Sequence, residues 1–223
     1  MKDSLYEKKV NCPSCKSIFT TQKVRTRRLK VLERQPDFYV KYEGVDPLYY
    51  QVWICPNCGF SATESEYTDL RRDERDLLYE KISKKWMQRD FGNVRTFEEA
   101  EESFKLALIT AQLLKKSRGY IGSIFLKLGW LNRGKSEEKE NEYLKSALDI
   151  LEEAYQEEYF PIAGLNEVAL SYLIGELHRR FGNTKEAIHW YAKALDHPEI
   201  KNNRQIQIRA RDQWSLAREE RNQ

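Results

Sequence analysis

The stretch Val52-Trp53-Ile54-Cys55-Pro56-Asn57-Cys58-Gly59-Phe60 carries the pattern on which the reading of this 223-residue chain turns. A Cys-Pro-x-Cys-Gly sequence favours a tight turn in which backbone amides point at two thiolates. Proline presets the turn and glycine permits the left-handed residue that folds the chain back. A second pair, Cys12-Pro13-Ser14-Cys15, is followed by Lys16 instead of glycine and so makes a less ideal knuckle. These four are all the cysteines of the chain. Two such pairs complete a tetrahedral shell around one ion and leave no open position. The expectation is one structural Zn²⁺ held by Cys12, Cys15, Cys55 and Cys58, although four thiolates also suit iron. Thiol redox chemistry fits less well, because no βαβ pattern surrounds either pair, and structural disulfides are disfavoured for cytosolic thiols. A module of about 60 residues gains only ~3–5 kcal/mol from its own core. A structural zinc contributes an apparent ~10–16 kcal/mol in small modules, so the metal is expected to fold this end of the chain.

The 39 residues between Cys15 and Cys55 exceed the usual zinc-ribbon spacing, which implies an elaborated hairpin. Val24 to Leu32 is β-like, without Gly or Pro. Leu48 to Ile54 alternates, with Leu48, Tyr50, Val52 and Ile54 on one face. Gln35 to Pro47 carries Pro36-Asp37, Gly44 and Asp46-Pro47, and reads as a long loop. After Gly59 the period changes from that of a strand to that of a helix. Thr63-x-x-Glu66 has capping-box form, with Tyr67, Leu70, Leu77, Leu78, Ile82 and Trp86 at helical intervals. Further breaks fall at Gly92-Asn93, Ser117-Arg118-Gly119, Gly134-Lys135, Phe160-Pro161, Gly182-Asn183 and His197-Pro198. Thr96-x-x-Glu99 and Thr184 are candidate N-caps and Gly182 a candidate C-cap.

The fold class expected is therefore α+β, mostly α. A small zinc-ribbon-like antiparallel β module (1–62) precedes a tetratricopeptide-like antiparallel array of about seven helices (63–223). The array rests on Leu173-Ile174-Gly175, Gly182, Ala187, Tyr191, Ala194 and Pro198, where small residues let two helices approach and larger ones fill gaps. Ala100, Phe104 and Ala107 repeat the second-helix spacing, and Leu128-Gly129 with Ala147 mark another copy. The period is not constant, so a plain helical bundle is the alternative.

Net charge is +3, too little to announce a polyanion partner, but the first 60 residues hold 11 Lys/Arg against 6 Asp/Glu. The 27 aromatics argue against disorder. No apolar run approaches bilayer length and the N-terminus shows no signal-peptide stretch, so a cytoplasmic protein without membrane partners is expected.

Cys12-Pro-Ser-Cys15, Asp37-Phe38, Tyr42, Gly44, Asp46-Pro47-Leu48-Tyr49-Tyr50 and the Val52–Phe60 stretch together resemble the bacterial domain-of-unknown-function family 2225. The resemblance spans nearly the whole chain, though its specific part is residues 12–60. It implies the same two-part architecture and leaves function open. Asp46-Pro47 stands where that family is expected to carry Asn-Pro, a departure that touches only a turn.

Two surfaces are candidates for function. Lys23, Arg25, Arg27, Arg28 and Lys30, near several aromatics, could grip phosphates or an acidic protein. Equally, they could solvate an edge strand and offset the charge of the metal centre. On the helices, Tyr172, Glu176 and Arg179, with Trp130 and Arg133 of the preceding repeat, would face a concave groove for a protein or peptide partner. Catalysis finds little support. His178, His189 and His197 are the only histidines, and His178 occupies a packing position. No phosphate loop, nucleophile elbow or His-Glu-x-x-His signature occurs, and no small-molecule substrate is indicated. The reading is a non-enzymatic zinc-binding scaffold for protein–protein interaction, with nucleic-acid binding through the basic strand as the alternative.

Overall fold

The computed structural model describes residues 4–221. The chain is α+β and mostly α, with seven α-helices and three two-stranded sheets among the described residues. It divides into two compact units, Met1–Glu33 with Val40–Lys116, and Arg34–Tyr39 with Ser117–Gln223.

In the first unit, β1 (Leu5–Asn11) pairs antiparallel with β2 (Ile18–Val24), from Leu5 opposite Val24 to Asn11 opposite Ile18. The β-like run expected over Val24–Leu32 does not continue as one strand. Beyond Leu5 the partner strand ends; Arg25 donates its N–H to the Ser4 carbonyl at 2.7 Å, and Thr26–Arg28 close a 3-10 turn. The segment expected to be a long loop contains a second hairpin, β3 (Val31–Arg34) with β4 (Val40–Tyr42). Its tip is closed by the Gln35 N–H donating to the Tyr39 carbonyl at 2.8 Å, with Phe38 left-handed at φ +70°. Residues 34–39 thus belong to the second unit while the remaining residues of the hairpin belong to the first.

The alternation of Leu48 to Ile54 also misleads. Asp46 accepts the Leu48 N–H at 2.8 Å and Pro47 takes the first helical position, so Pro47–Tyr50 wind into a 3-10 turn. Asp46 here does the capping that asparagine would do. Only Val52–Ile54 form β5, antiparallel to β6 (Ser61–Thr63), and every residue of both strands is buried. Arg95 fastens this region: its guanidinium donates to the carbonyls of Phe91, Tyr49 and Val52 at 2.8–3.0 Å, and burial lowers its pKa to about 10.

The helix expected from the Thr63 capping box begins later. Glu64–Glu66 form a 3-10 turn and the Thr63 hydroxyl pairs with that of Ser65 at 3.2 Å. Helix α1 is Arg72–Lys81, where Glu74 accepts the Arg71 N–H at 2.8 Å. Helix α2 (Phe97–Leu113) starts as expected, the Thr96 and Glu99 side chains each accepting the other's backbone N–H. The boundary expected between residues 62 and 63 falls inside the first unit, and the expected spans reach residues 1–3, 222 and 223, which lie outside the described residues. The reason is packing: Phe60, Ala62 and three of the cysteines form one core with Leu70, Leu78 and Leu114, so the metal-site hairpins share their core with the helices.

The second unit contains α3 (Arg118–Asn132), α4 (Glu137–Glu157), α5 (Glu167–Arg180), α6 (Thr184–Asp196) and α7 (Arg204–Arg221). Ser117, Ser136 and Asn166 cap the first, second and third of these with side-chain oxygens. Thr184 is the first residue of α6 instead of its cap, whereas Gly182 ends α5 at φ +73°. Each short connection makes the next helix antiparallel, giving the hairpins α3–α4 and α5–α6, with α7 packed on α6. Helix approach depends on glycine at several points, among them Gly129, where a Cβ would lie 2.5 Å from the Leu144 side chain, and Gly175, where one would lie 2.8 Å from Tyr191.

Gly129→Leu is accordingly expected to destabilise the protein by about 2–3 kcal/mol, since the new side chain would overlap the fully buried Leu144. Gly134→Ala, in open space but at φ +73°, should cost only about 1–2 kcal/mol. Urea titration of the two variants measures both values.

Candidate metal centre

Each cysteine pair occupies the turn of a β-hairpin, and the two turns are built alike. In the first, Cys12 exchanges backbone bonds with Ser17 and Lys16: its N–H donates to Ser17 O at 2.8 Å and its carbonyl accepts from Lys16 N–H at 2.9 Å. In the second, Cys55 does the same with Phe60 and Gly59, at 2.9 Å each. The residue after the second cysteine is left-handed in both, Lys16 at φ +62° and Gly59 at φ +75°. Glycine is needed at the second knuckle for a further reason, because a Cβ there would lie 2.5 Å from the Trp86 ring.

These knuckles bring the four expected ligands together. All four sulfurs lie within 4.8 Å of one another, with Cys12–Cys58 and Cys15–Cys55 at 3.6 Å. A metal–sulfur distance of about 2.3 Å in a tetrahedron requires sulfur separations of about 3.8 Å, so the donors fit one ion. Cys12, Cys55 and Cys58 are buried and Cys15 is exposed. Their ionisation is interdependent. A hydrogen bond from Cys12, then one from Cys58, holds the Cys55 thiol far below its ordinary range. In turn Cys12 is pushed up to about 12, chiefly by its bond to Cys55, and Cys58 is pushed higher still by Cys12. A bound cation inverts this balance by stabilising every thiolate at once.

Several residues around the centre carried no metal signal in the sequence. The Ser17 hydroxyl contacts the sulfurs of Cys15 (3.0 Å) and Cys55 (3.3 Å). Ser83 donates to Cys58 O and the Trp86 indole N–H to Pro56 O, at 3.0 and 2.8 Å, clamping the second knuckle from outside. Tyr67 stacks on Phe60, with its phenol pushed up by burial and by the neighbouring Cys12 sulfur. No spacing rule finds these residues, because they reach the centre from separate elements.

The five basic residues do not make one surface of free cations. Lys23 pairs with Glu64 at 2.7 Å and Lys30 with Glu43 at 2.7 Å. Arg25 stacks on Tyr6 at 4.8 Å, and Arg25, Arg27 and Arg28 are exposed around a shallow hollow of about 390 Å³.

The residues expected to line an open groove are brought together, but around the chain's own hairpin tip. Asp37, only 3% exposed, accepts from both Nη atoms of Arg133 (3.0 and 2.6 Å) and from the Trp130 indole at 3.1 Å. Phe38 packs on Tyr172 at 5.4 Å. Tyr172 is fully buried and Glu176 nearly so, the latter accepting from Arg179 and from the Tyr191 hydroxyl. Burial works against the Arg133 charge, but bonds to Asp37 and Glu140 outweigh it and raise its pKa. Trp130, Arg133 and Tyr172 are thus engaged by residues of the chain far from them in sequence. His178 is a core residue, its Nε2 bonded to Glu152 at 2.8 Å, as its packing position suggested. The cysteine quartet is the one group of potential metal ligands among the described residues.

A four-cysteine β module able to hold one metal ion, in a chain whose remainder is helical hairpins, is the class of protein this fold and site define. The chain belongs to the family described as "Uncharacterized protein conserved in bacteria (DUF2225)", which it matches over residues 5–217. It is similar to a protein of Borreliella burgdorferi described as "Uncharacterized protein", with 27% identity over 126 residues. That match covers 50% of this chain and 45% of the relative, so the chain spans less than half of the length of this curated relative. No solved structure matches the chain.

The paired knuckles make an asymmetric prediction. Lys16→Gly should leave stability unchanged or raise it by up to about 1 kcal/mol, because it relieves a left-handed side-chain-bearing residue at some entropic cost. Gly59→Ala should lower stability by at least about 2 kcal/mol, since Trp86 blocks the new methyl group. Denaturation followed by tryptophan fluorescence distinguishes the two, and equal losses would contradict the knuckle geometry.

Proposed function

We propose that the chain is a non-enzymatic zinc protein whose helical hairpins form a scaffold for protein–protein interaction in the cytoplasm. The observation that carries this reading is the closed set of four sulfurs. With all four positions filled by thiolates, a zinc ion keeps none for a substrate or an activated water, which is the arrangement of structural sites. Its place in a core with Phe60, Leu70 and Leu78 supports the same role, because the ion would then organise the unit that surrounds it. Cytosolic thiols favour zinc binding over disulfides, and among the described residues no helix is long and apolar enough to cross a membrane.

The scaffold part rests on the antiparallel hairpins α3–α4 and α5–α6, whose close approaches at Gly129 and Gly175 resemble those of tetratricopeptide repeats. Arrays of that kind commonly present a groove to peptides. The nearness of Trp130 and Arg133, which both bond Asp37, to Tyr172, which packs on the adjacent Phe38, supports this reading.

Chelation of the full-length, reduced protein tests the proposal. About one equivalent of zinc per chain should be released, with loss of far-UV ellipticity and new protease cleavage in residues 40–116. Release of zinc with an unchanged melting temperature would contradict a structural role. Metal-dependent turnover in a broad hydrolase screen would contradict the non-enzymatic reading.

A further inference from the structure

We infer that the hairpin tip Gln35–Tyr39 is a resident ligand of a peptide-recognition groove in the helical unit, and that the groove's external ligand is a partner segment in which an aromatic residue directly follows a carboxylate. The inference rests on the scaffold reading above and names the chemistry of its partner.

The tip is held in the manner of a bound peptide. The Asp37 carboxylate is bonded by Arg133 through both Nη atoms, by the Trp130 indole and by the Tyr39 backbone N–H at 3.3 Å. Arg133 also donates to the Gln35 side chain and lies 4.9 Å from the Tyr39 ring centre, so one guanidinium reads three tip residues. Phe38 supplies the apolar anchor, packing on Tyr172 and joining two core clusters of the helical unit. A paired, nearly buried carboxylate beside a half-buried aromatic is the pattern of an interface hot spot.

The tip's own closure is a short turn, with Gln35 N–H donating to Tyr39 O at 2.8 Å and Phe38 N–H to Gln35 O at 3.2 Å. All four residues of β3 are exposed, and the hairpin is an isolated two-stranded sheet, marginal by itself in water. Phe38 is left-handed, unfavourable for a bulky residue and sustained only by the surrounding contacts. If the tip leaves, Arg133 and Arg180 share the single carboxylate of Glu140, to which both donate. That leaves a net positive charge beside Trp130 and Tyr172. Such a groove selects an acidic residue next to an aromatic and discriminates against a basic one. Because the tip is tethered, it competes at high effective concentration, so a partner must be strong or multivalent to displace it.

The test uses the full chain and a fluorescein-labelled peptide copying residues 34–41. The Asp37→Asn/Phe38→Ala variant, which weakens the resident tip, should bind the peptide at least tenfold more tightly than wild type by anisotropy. Replacing the peptide's aspartate by asparagine, or adding Arg133→Met to the variant, should cost at least tenfold. Equal affinity for wild type and variant, or indifference to the aspartate, overturns the inference. Should the variant not fold, hydrogen exchange on the wild-type protein decides. Excess peptide should accelerate exchange of the Phe38 and Tyr39 amides, and no change at millimolar peptide overturns the inference. Sedimentation of the same samples identifies a second copy as occupant: dimers that exclude the peptide overturn a foreign ligand. A native partner retained equally by wild type and variant overturns the tip as a gate while leaving the scaffold reading standing.

Discussion

Four sulfur atoms from two turns, separated by a long stretch of chain, must come within bonding reach of a common centre, and the first unit is arranged around that requirement. Each turn closes a β-hairpin, so strand pairing and thiol direction are coupled. Three of the four cysteines then enter the apolar core directly, beside Phe60, Leu70 and Leu78. Burying thiolates in such a core is unfavourable unless their charge is offset, and while Cys55 is held low by its neighbours, Cys12 and Cys58 are pushed up. A divalent cation bound there would stabilise all four thiolates at once.

The ligands and the helix breaks were legible because they depend on local chemistry. Cys-x-x-Cys turns, the Thr96–Glu99 capping box and the glycines at 129 and 175 each act within a few residues or at a fixed helical spacing. The misreadings share the opposite cause. Leu48 to Ile54 alternate like a strand, yet Asp46 and Pro47 nucleate a 3-10 turn first, and both faces of β5 are then buried. The capping-box form at Thr63 is real as a pattern, but a hydroxyl pairing with Ser65 and a 3-10 turn displace it. Arg95, which ties three backbone carbonyls to the start of α2, is one arginine among many in the sequence. Only the fold shows that its guanidinium is buried.

The helical unit carries the same lesson into function. Trp130, Arg133, Tyr172, Glu176 and Arg179 follow from helical register, and in the structure the first two bond Asp37 while Tyr172 packs on Phe38. What register cannot supply is the occupant. Pro36-Asp37 reads in one dimension as loop punctuation, with Phe38 one of several nearby aromatics. In three dimensions Asp37 and Phe38 are the carboxylate and the aromatic ring around which the helices close. Those contacts keep the Phe38 ring and the paired Asp37 and Arg133 charges largely out of water.

Extended X-ray absorption at the zinc edge, on protein purified under reducing conditions without added metal, tests the central claim most directly. The account predicts a first shell of four sulfur atoms at about 2.3 Å and no nitrogen or oxygen neighbour. A shell containing light-atom ligands, or the absence of a zinc edge from folded protein, would contradict it.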